Sequence, residues 1–254
     1  MMFTKRDRKL FHLLGQVRLM TLKQIQEYVF CGASRSIVQR RLGLFRKRSV
    51  LRSVQSSRYG QLAWTLVAET ARAIDLDPRA FSRNPNLYCI EHDLMLSEIA
   101  LHWIRLGLVD KWKAAIHFEI EESGRNSAKL VHIPDAQVWG NQFLGLTYVE
   151  YENSYKTRFD LRRVVHHYNK SYVGQVFYFW RNESVARIIR DISNLEKYKD
   201  HHIWIADQSI ESGIPNSFTC VITGEKLDLK ISAEVGASPA ARPDSTIASR
   251  WSTS

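Results

Sequence analysis

Cysteine is scarce in this chain of 254 residues, and the three present, Cys31, Cys89 and Cys220, are far apart and in no metal-ligand spacing. That excludes a disulfide framework and a cysteine-held zinc, suits a reducing cytoplasm, and leaves the thiols as small buried hydrophobes. Long apolar runs are also missing. No stretch approaches the length of a membrane span, and the opening MMFTKRDRKLFHLL scatters charges where a secretory signal has an apolar core. The expected location is the cytoplasm, without membrane insertion. No Walker loop, dinucleotide-binding glycine fingerprint or zinc spacing occurs, and no internal repeat is visible.

Acidic residues are lacking in one region above all. Residues 1–67 hold fourteen Lys or Arg against only Asp7 and Glu27, so all the excess behind the net charge of +10 lies there. Such a basic unit joined to a near-neutral remainder is the footprint of nucleic-acid binding. Within it, Leu10, Leu13, Leu14 and Val17 fall at helical spacing behind Thr4 as N-cap, and TLKQIQEYVF repeats the pattern behind Thr21. A third helix, SRSIVQRRLGLFRKR, capped by Ser34, buries Val38, Leu42 and Phe45. It turns Arg35, Gln39, Arg40 and Arg46 outward, with Arg48 just beyond. The next segment, VLRSVQSSRYGQLAWTLV, reads as two β arms around SSRYG, placing Arg52 and Arg58 within reach of phosphate. Three short helices with a basic third, followed by a hairpin, predict a winged helix that binds double-stranded DNA. Charge runs usually only solvate helix faces, but an imbalance of fourteen to two in one small unit favours DNA.

Residues 69–82 read as a helix ending near Pro78, which puts a linker at 78–90 between a first domain, 1–77, and a second, 91–231. The second opens with the amphipathic helix EHDLMLSEIALHWIRLG and a strand over 112–122. Strands and helices then alternate: a helix at about 158–170, the strand VGQVFYFW, the helix SVARIIRDISNLEKY and the strand HHIWIAD. The expected class is α+β, the second domain being an α/β unit with a mixed sheet. The tail 232–254, small, polar and proline-containing, is expected to be disordered.

The chemistry concentrates in LVHIPDAQVW and FLGLTYVEYE, which read as neighbouring strands. Glu150 and Glu152 are two apart, so a strand projects both carboxylates from one face, and pairing of the strands brings Asp135 beside them. Three carboxylates that close repel unless a cation sits among them, and a hard divalent cation, Mg²⁺ or Mn²⁺, is the simplest candidate. Asp135, Glu150 and the Tyr151 carbonyl would hold it, with Glu152 as a further ligand or as the group orienting a water. The Tyr151 ring, pointing away from both Glu side chains, is structural, and His132 is packed or hydrogen-bonded. Taken singly, a Pro-Asp pair is common and two acids on a strand make an ordinary polar face.

The run IPDA, VEYEN and RFDLRRVVHHYNK, preceded by EHDLMLSEIALHW and a basic N-terminal module, resembles the replication-relaxation family and the MOBC-class plasmid mobilisation relaxases, with a PD-(D/E)xK, restriction-endonuclease-like fold. The resemblance covers roughly residues 4–205 and is strongest at 131–170. It implies a metal-dependent endonuclease that nicks one strand at a plasmid transfer origin, with a coupling protein and accessory mobilisation proteins as partners. It also implies an extra acid from the first core helix, Glu98 or Glu91, although a solvated helix glutamate reads equally well. The chain departs from the pattern where a Lys is expected two residues after Glu150: Glu152 stands there, and Lys156, Arg163 or Lys170 must supply the cation. The common relaxases use an N-terminal Tyr and a His-hydrophobic-His metal motif. Here no Tyr precedes Tyr28, and the pairs His166-His167 and His201-His202 are adjacent and point apart. Two other readings remain: a non-catalytic replication or transcription regulator that keeps the fold as a DNA-holding platform, and a restriction-type endonuclease that cuts both strands.

Overall fold

A computed structural model describes residues 2–55, 62–82, 84–85, 89–123, 132–143, 145–153, 156–170, 174–195 and 202–229, without the side chains of 169, 170, 195 and 202. Arg58, the hairpin tip, most of the turn after Ser123 and the tail 232–254 lie outside these residues. The architecture is mixed α+β with two sheets.

The first helix, α1 (Lys5–Val17), starts where the composition puts its cap: Thr4 accepts from the Asp7 N–H, and the Asp7 carboxylate accepts from the Thr4 N–H at 2.7 Å. This reciprocal box satisfies two N–H groups that a helix start would otherwise leave bare. A two-residue strand, β1 (Met20–Thr21), leads into α2 (Leu22–Tyr28), closed by a second box between Thr21 and Gln24. In α3 (Arg35–Lys47), Ser34 stands at the cap position but makes no capping bond; its hydroxyl lies 3.0 Å from that of Ser36. Strands β2 (Leu51–Gln55) and β3 (Leu62–Leu66) pair antiparallel, and β1 adds to β3, giving the order β1-β3-β2.

Two short helices follow, α4 (Ala68–Ala73) and α5 (Arg79–Ser82). The second lies in the expected linker and buries Ala80 and Phe81. Next come α6 (Ile90–Arg105), β4 (Lys111–Ala114), α7 (Ala115–Ser123), β5 (Ala136–Trp139) and β6 (Thr147–Glu152). They are followed by α8 (Arg158–Lys170), β7 (Gln175–Trp180), α9 (Glu183–Leu195), β8 (His202–Ala206), β9 (Ser217–Cys220) and β10 (Lys226–Asp228). The seven strands β4–β10 form one sheet in the order β10-β9-β8-β7-β6-β5-β4, parallel across β6-β7-β8 and antiparallel elsewhere.

Both parallel links are helical crossovers, as parallel pairing requires. Trp103 of α6 is fully buried against Phe143, Phe177, Phe179 and Phe218, so α6 covers the face that carries the odd-numbered residues of β7. Losing a side chain of this size from a packed core costs on the order of 3–5 kcal/mol. Tyr168 of α8 meets Tyr148 and Glu150 on the other face.

Two expectations are corrected. The segment 112–122 is not one strand: β4 ends at Ala114, and the Ala115 N–H bonds to the Asp135 carbonyl at 2.9 Å where α7 begins. Cys31 and Cys89 are exposed rather than buried, the first in the turn between α2 and α3 and the second at the cap position of α6; only Cys220 is in the core. The core of the basic unit is continuous with that of the larger sheet. One hydrophobic cluster runs from Leu10 in α1 through Trp112 in β4 to Leu229. Hydrogen bonds lie across the same join: Gln16 accepts from the Trp112 N–H at 2.9 Å, and His117 lies 3.1 Å from the Gly15 carbonyl. Among the described residues no helix is long and apolar enough to cross a membrane.

Asp7 is 0% exposed and holds Arg41 of α3 through two hydrogen bonds, tying the first helix to the third. Burial opposes its charge, but Arg41 and the Thr4 cap outweigh it, so its carboxyl titrates below the usual 3.8. Asp7→Asn is expected to cost about 3 kcal/mol at pH 7 in urea unfolding. A lowered folded pKa stabilises above the unfolded value and loses that contribution as pH falls through the folded one. The gap between wild type and variant therefore closes below pH 3.8; a gap that stays open in acid would sink this account.

Candidate functional site

The end of β6 gathers the chemistry. Asp135 sits in the bend just before β5, and its Oδ2 accepts from the Tyr151 N–H at 2.8 Å. The antiparallel register, Ala136 opposite Val149, puts Asp135 level with Glu150 on the neighbouring strand. Glu150 and Glu152 are 0% and 1% exposed. Sheet alternation sends both to the α8 side, where the parallel register sets Tyr178 of β7 beside Glu150.

Basic and hydroxyl side chains from four other places close around these acids. The His92 Nε2, from the first turn of α6, lies 3.2 Å from Asp135 Oδ2 and 3.1 Å from the Tyr151 carbonyl. Its ring lies tilted over the Tyr151 ring at 5.4 Å. His132 meets Glu150 Oε1 at 2.8 Å, and the Tyr168 hydroxyl donates to the same oxygen. Lys156, four residues past Glu152, donates to Glu152 Oε1 at 2.6 Å. The Tyr178 hydroxyl, buried on the same side, makes no hydrogen bond among the described residues.

Charge balance follows from this packing. Burial works against ionised Asp135, but His92 and the Tyr151 N–H keep its carboxyl below the usual range. Burial likewise opposes charge on His92, yet Asp135 and Asp93 push its pKa up to about 11. Glu150 is raised by burial and by Asp135, against the pull of His132 and Tyr168. Glu152 is raised to about 7 by burial, with Lys156 opposing and the other two acids adding to it.

Among the described residues no group of three or more His, Cys, Asp or Glu side chains is arranged to hold a metal ion. In the arrangement seen, His92 and Lys156 supply positive charge, and the neighbouring Glu150 carboxylate pulls the His132 pKa up against burial. The donor set nonetheless fits a hard cation in one respect. Glu150 Oε2 is buried with no hydrogen-bond partner among the described residues, and an unpaired buried carboxylate oxygen is costly unless something positive can reach it.

Asp135, Glu150, Tyr151, Glu152 and Lys156 are thus brought together. Glu98 is not: its two carboxylate oxygens are bonded to Gln24 at 2.7 Å and Tyr28 at 3.0 Å of α2. Arg163 is exposed on the outer side of α8. On the basic unit, Arg35, Gln39, Arg40, Arg46 and Arg48 are exposed along α3 and just past its end. Arg52 is half-buried, its guanidinium bonded to the Phe81 carbonyl at 2.8 Å and to Asn84. The spacing of the acids gave no hint of His92, Tyr168 or Tyr178. A histidine one turn from a helix start, preceding a strand pair rich in acids, was the available signal.

Searches of protein-family models, of curated proteins and of solved structures find no match to the chain.

The raised Glu152 pKa gives a test of this packing. Between 4.5 and about 7 the folded chain binds a proton at Glu152 that the unfolded chain does not, so stability falls as pH rises through that window. Glu152→Gln removes this dependence. Its stability relative to wild type should rise by on the order of 2 kcal/mol from pH 4.5 to pH 8, measured by urea unfolding. A pH-independent difference between the two proteins would contradict the buried, crowded position assigned to Glu152.

Proposed function

We propose that this chain is a DNA relaxase that binds a plasmid transfer origin and nicks one strand in a metal-dependent reaction, initiating conjugative mobilisation. The observation that carries the reading is the register that sets Asp135 level with Glu150 at the end of β6 and bonds it to the Tyr151 N–H, with the buried Glu150 Oε2 lacking a hydrogen-bond partner among the described residues. On this reading α1–α3 with β1–β3 form a winged helix, and the seven-stranded sheet with its helices is a restriction-endonuclease-like domain. The exposed Arg35, Gln39, Arg40, Arg46 and Arg48 meet the duplex, phosphate contacts setting position and α3 entering the major groove.

A divalent cation, Mg²⁺ or Mn²⁺, held by Asp135, Glu150 and the Tyr151 carbonyl would supply Lewis acidity and a deprotonated water at neutral pH. The chain's own groups do the rest. Lys156 reaches the acid cluster from outside the strand, with 33% of its side chain exposed, and so stands where the expected motif Lys would act on phosphate. His132 and Tyr168 fix one oxygen of Glu150 and leave the other to face the reacting centre. Arg158 and Arg163, exposed on α8, engage the DNA backbone beside it. The partners are a coupling protein and accessory mobilisation proteins, in the cytoplasm.

A second reading has an observation of its own. Glu152 replaces the motif Lys, and each acid already has a basic neighbour, His92, His132 or Lys156. A site neutralised in this way also suits a non-catalytic replication or transcription regulator that only holds DNA.

Supercoiled plasmid carrying the cognate origin, incubated with Mn²⁺ or Mg²⁺, separates the readings. Open circles are expected; linear product points to a restriction-type enzyme, and a gel shift without cleavage to the regulator. Asp135→Ala and Glu150→Ala should each abolish nicking and leave binding intact. The pair Arg40→Ala with Arg46→Ala should weaken binding by roughly tenfold or more and flatten its salt dependence. Undiminished nicking by either acid variant removes the site assignment.

A further inference from the structure

We infer that His92 is a further ligand of the cation, through Nε2, that metal binding draws it together with Asp135, Glu150 and the Tyr151 carbonyl, and that this set selects Mn²⁺ over Mg²⁺. The inference rests on the reading that Asp135 and Glu150 hold a divalent ion.

Three observations carry it. First, His92 Nε2 faces two acceptors at once, Asp135 Oδ2 at 3.2 Å and the Tyr151 carbonyl at 3.1 Å. One N–H proton can be directed at only one of them, and sharing weakens both bonds. A cation between the three atoms displaces the Nε2 proton to solvent and is met by a lone pair from each of them. Second, these separations match neighbouring ligands on a small divalent ion: metal–ligand distances of about 2.1 Å at right angles put adjacent donors about 3 Å apart. Third, the other ring nitrogen, Nδ1, is turned to the Asp93 carboxylate at 3.5 Å, with Arg18 3.9 Å from Asp93 on its far side. A ligating histidine is typically held in this way, a carboxylate on the second nitrogen fixing both tautomer and ring orientation.

The choice of metal follows from the donor types. Carboxylate and carbonyl oxygens alone suit Mg²⁺ well, whereas an imidazole favours first-row transition ions. Swapping one oxygen donor for His92 therefore moves preference from Mg²⁺ to Mn²⁺ without excluding a hard ion.

The test is spectroscopic and needs no DNA. Full-length protein is titrated with Mn²⁺, the bound ion is counted by electron paramagnetic resonance, and spin-echo modulation reads ¹⁴N nuclei coupled to it. The expected result is one bound Mn²⁺ with histidine ¹⁴N modulation, changed on ¹⁵N-histidine labelling. His92→Gln should lose the modulation and bind Mn²⁺ about 10- to 100-fold more weakly, and His132→Gln should keep it. Bound Mn²⁺ without modulation overturns the ligand assignment while leaving metal-dependent cleavage standing, as does modulation lost only in His132→Gln. Failure to bind Mn²⁺ at all overturns both readings. Should His92→Gln not fold, the wild-type and His132→Gln spectra decide.

Discussion

Three carboxylates crowded at the end of one strand impose the constraint that the rest of the large sheet answers. Asp135, Glu150 and Glu152 lie close enough to raise one another's cost of ionisation, and a buried charge survives only with partners. The fold draws those partners from places that share no local sequence: His92 from α6, His132 from the segment before β5, Lys156 from the loop after β6, and Tyr168 from α8. Each arrives on an element that must be packed correctly before its side chain can serve. The seven-stranded order, with β6 inside the sheet and helices on both faces, is what lets both helix layers reach the same strand end.

The helix α6 is central to that arrangement. One side of it, through Trp103, fills the core against Phe177, Phe179 and Phe218. Its N-terminal turn delivers His92 to Asp135. Further along, Glu98 takes hydrogen bonds from Gln24 and Tyr28, and the Ser97 hydroxyl, which donates to the Asp93 carbonyl at 2.8 Å, lies 3.4 Å from the Val17 carbonyl. The same helix that completes the acid cluster therefore also seats the three-helix unit. The Glu98 carboxylate thus joins the two halves.

Much of this was legible from residue order, for physical reasons that can be stated. A strand's two-residue period placed Glu150 and Glu152 on one side, and the pairing of their strand with the one after Asp135 needed only two adjacent β-prone runs. Thr4 and Thr21 announced helix starts because a short hydroxyl side chain can take an orphan N–H. The same logic failed at Ser34, whose hydroxyl found Ser36 instead. The segment after Ala114 misled because Ile116, Phe118 and Ile120 alternate as in a strand, while the bond from Ala115 to the Asp135 carbonyl ends the pairing there. Strands β1, β9 and β10, of two to four residues, are too short to leave a period. His92 was hidden because its partner is 43 residues away, a contact that no local pattern encodes.

The continuous core has a consequence for how such a chain can be reshuffled. Leu10, Val17, Trp103 and Trp112 belong to one cluster, and backbone groups at Gly15 and Trp112 meet side chains from across the join. An N-terminal unit of this build is no detachable cassette. Severed near residue 77 it would bare apolar surface on both fragments, so recombination that exchanges heads between chains must carry over the matching pad on α6 and β4, or lose the solubility of both products.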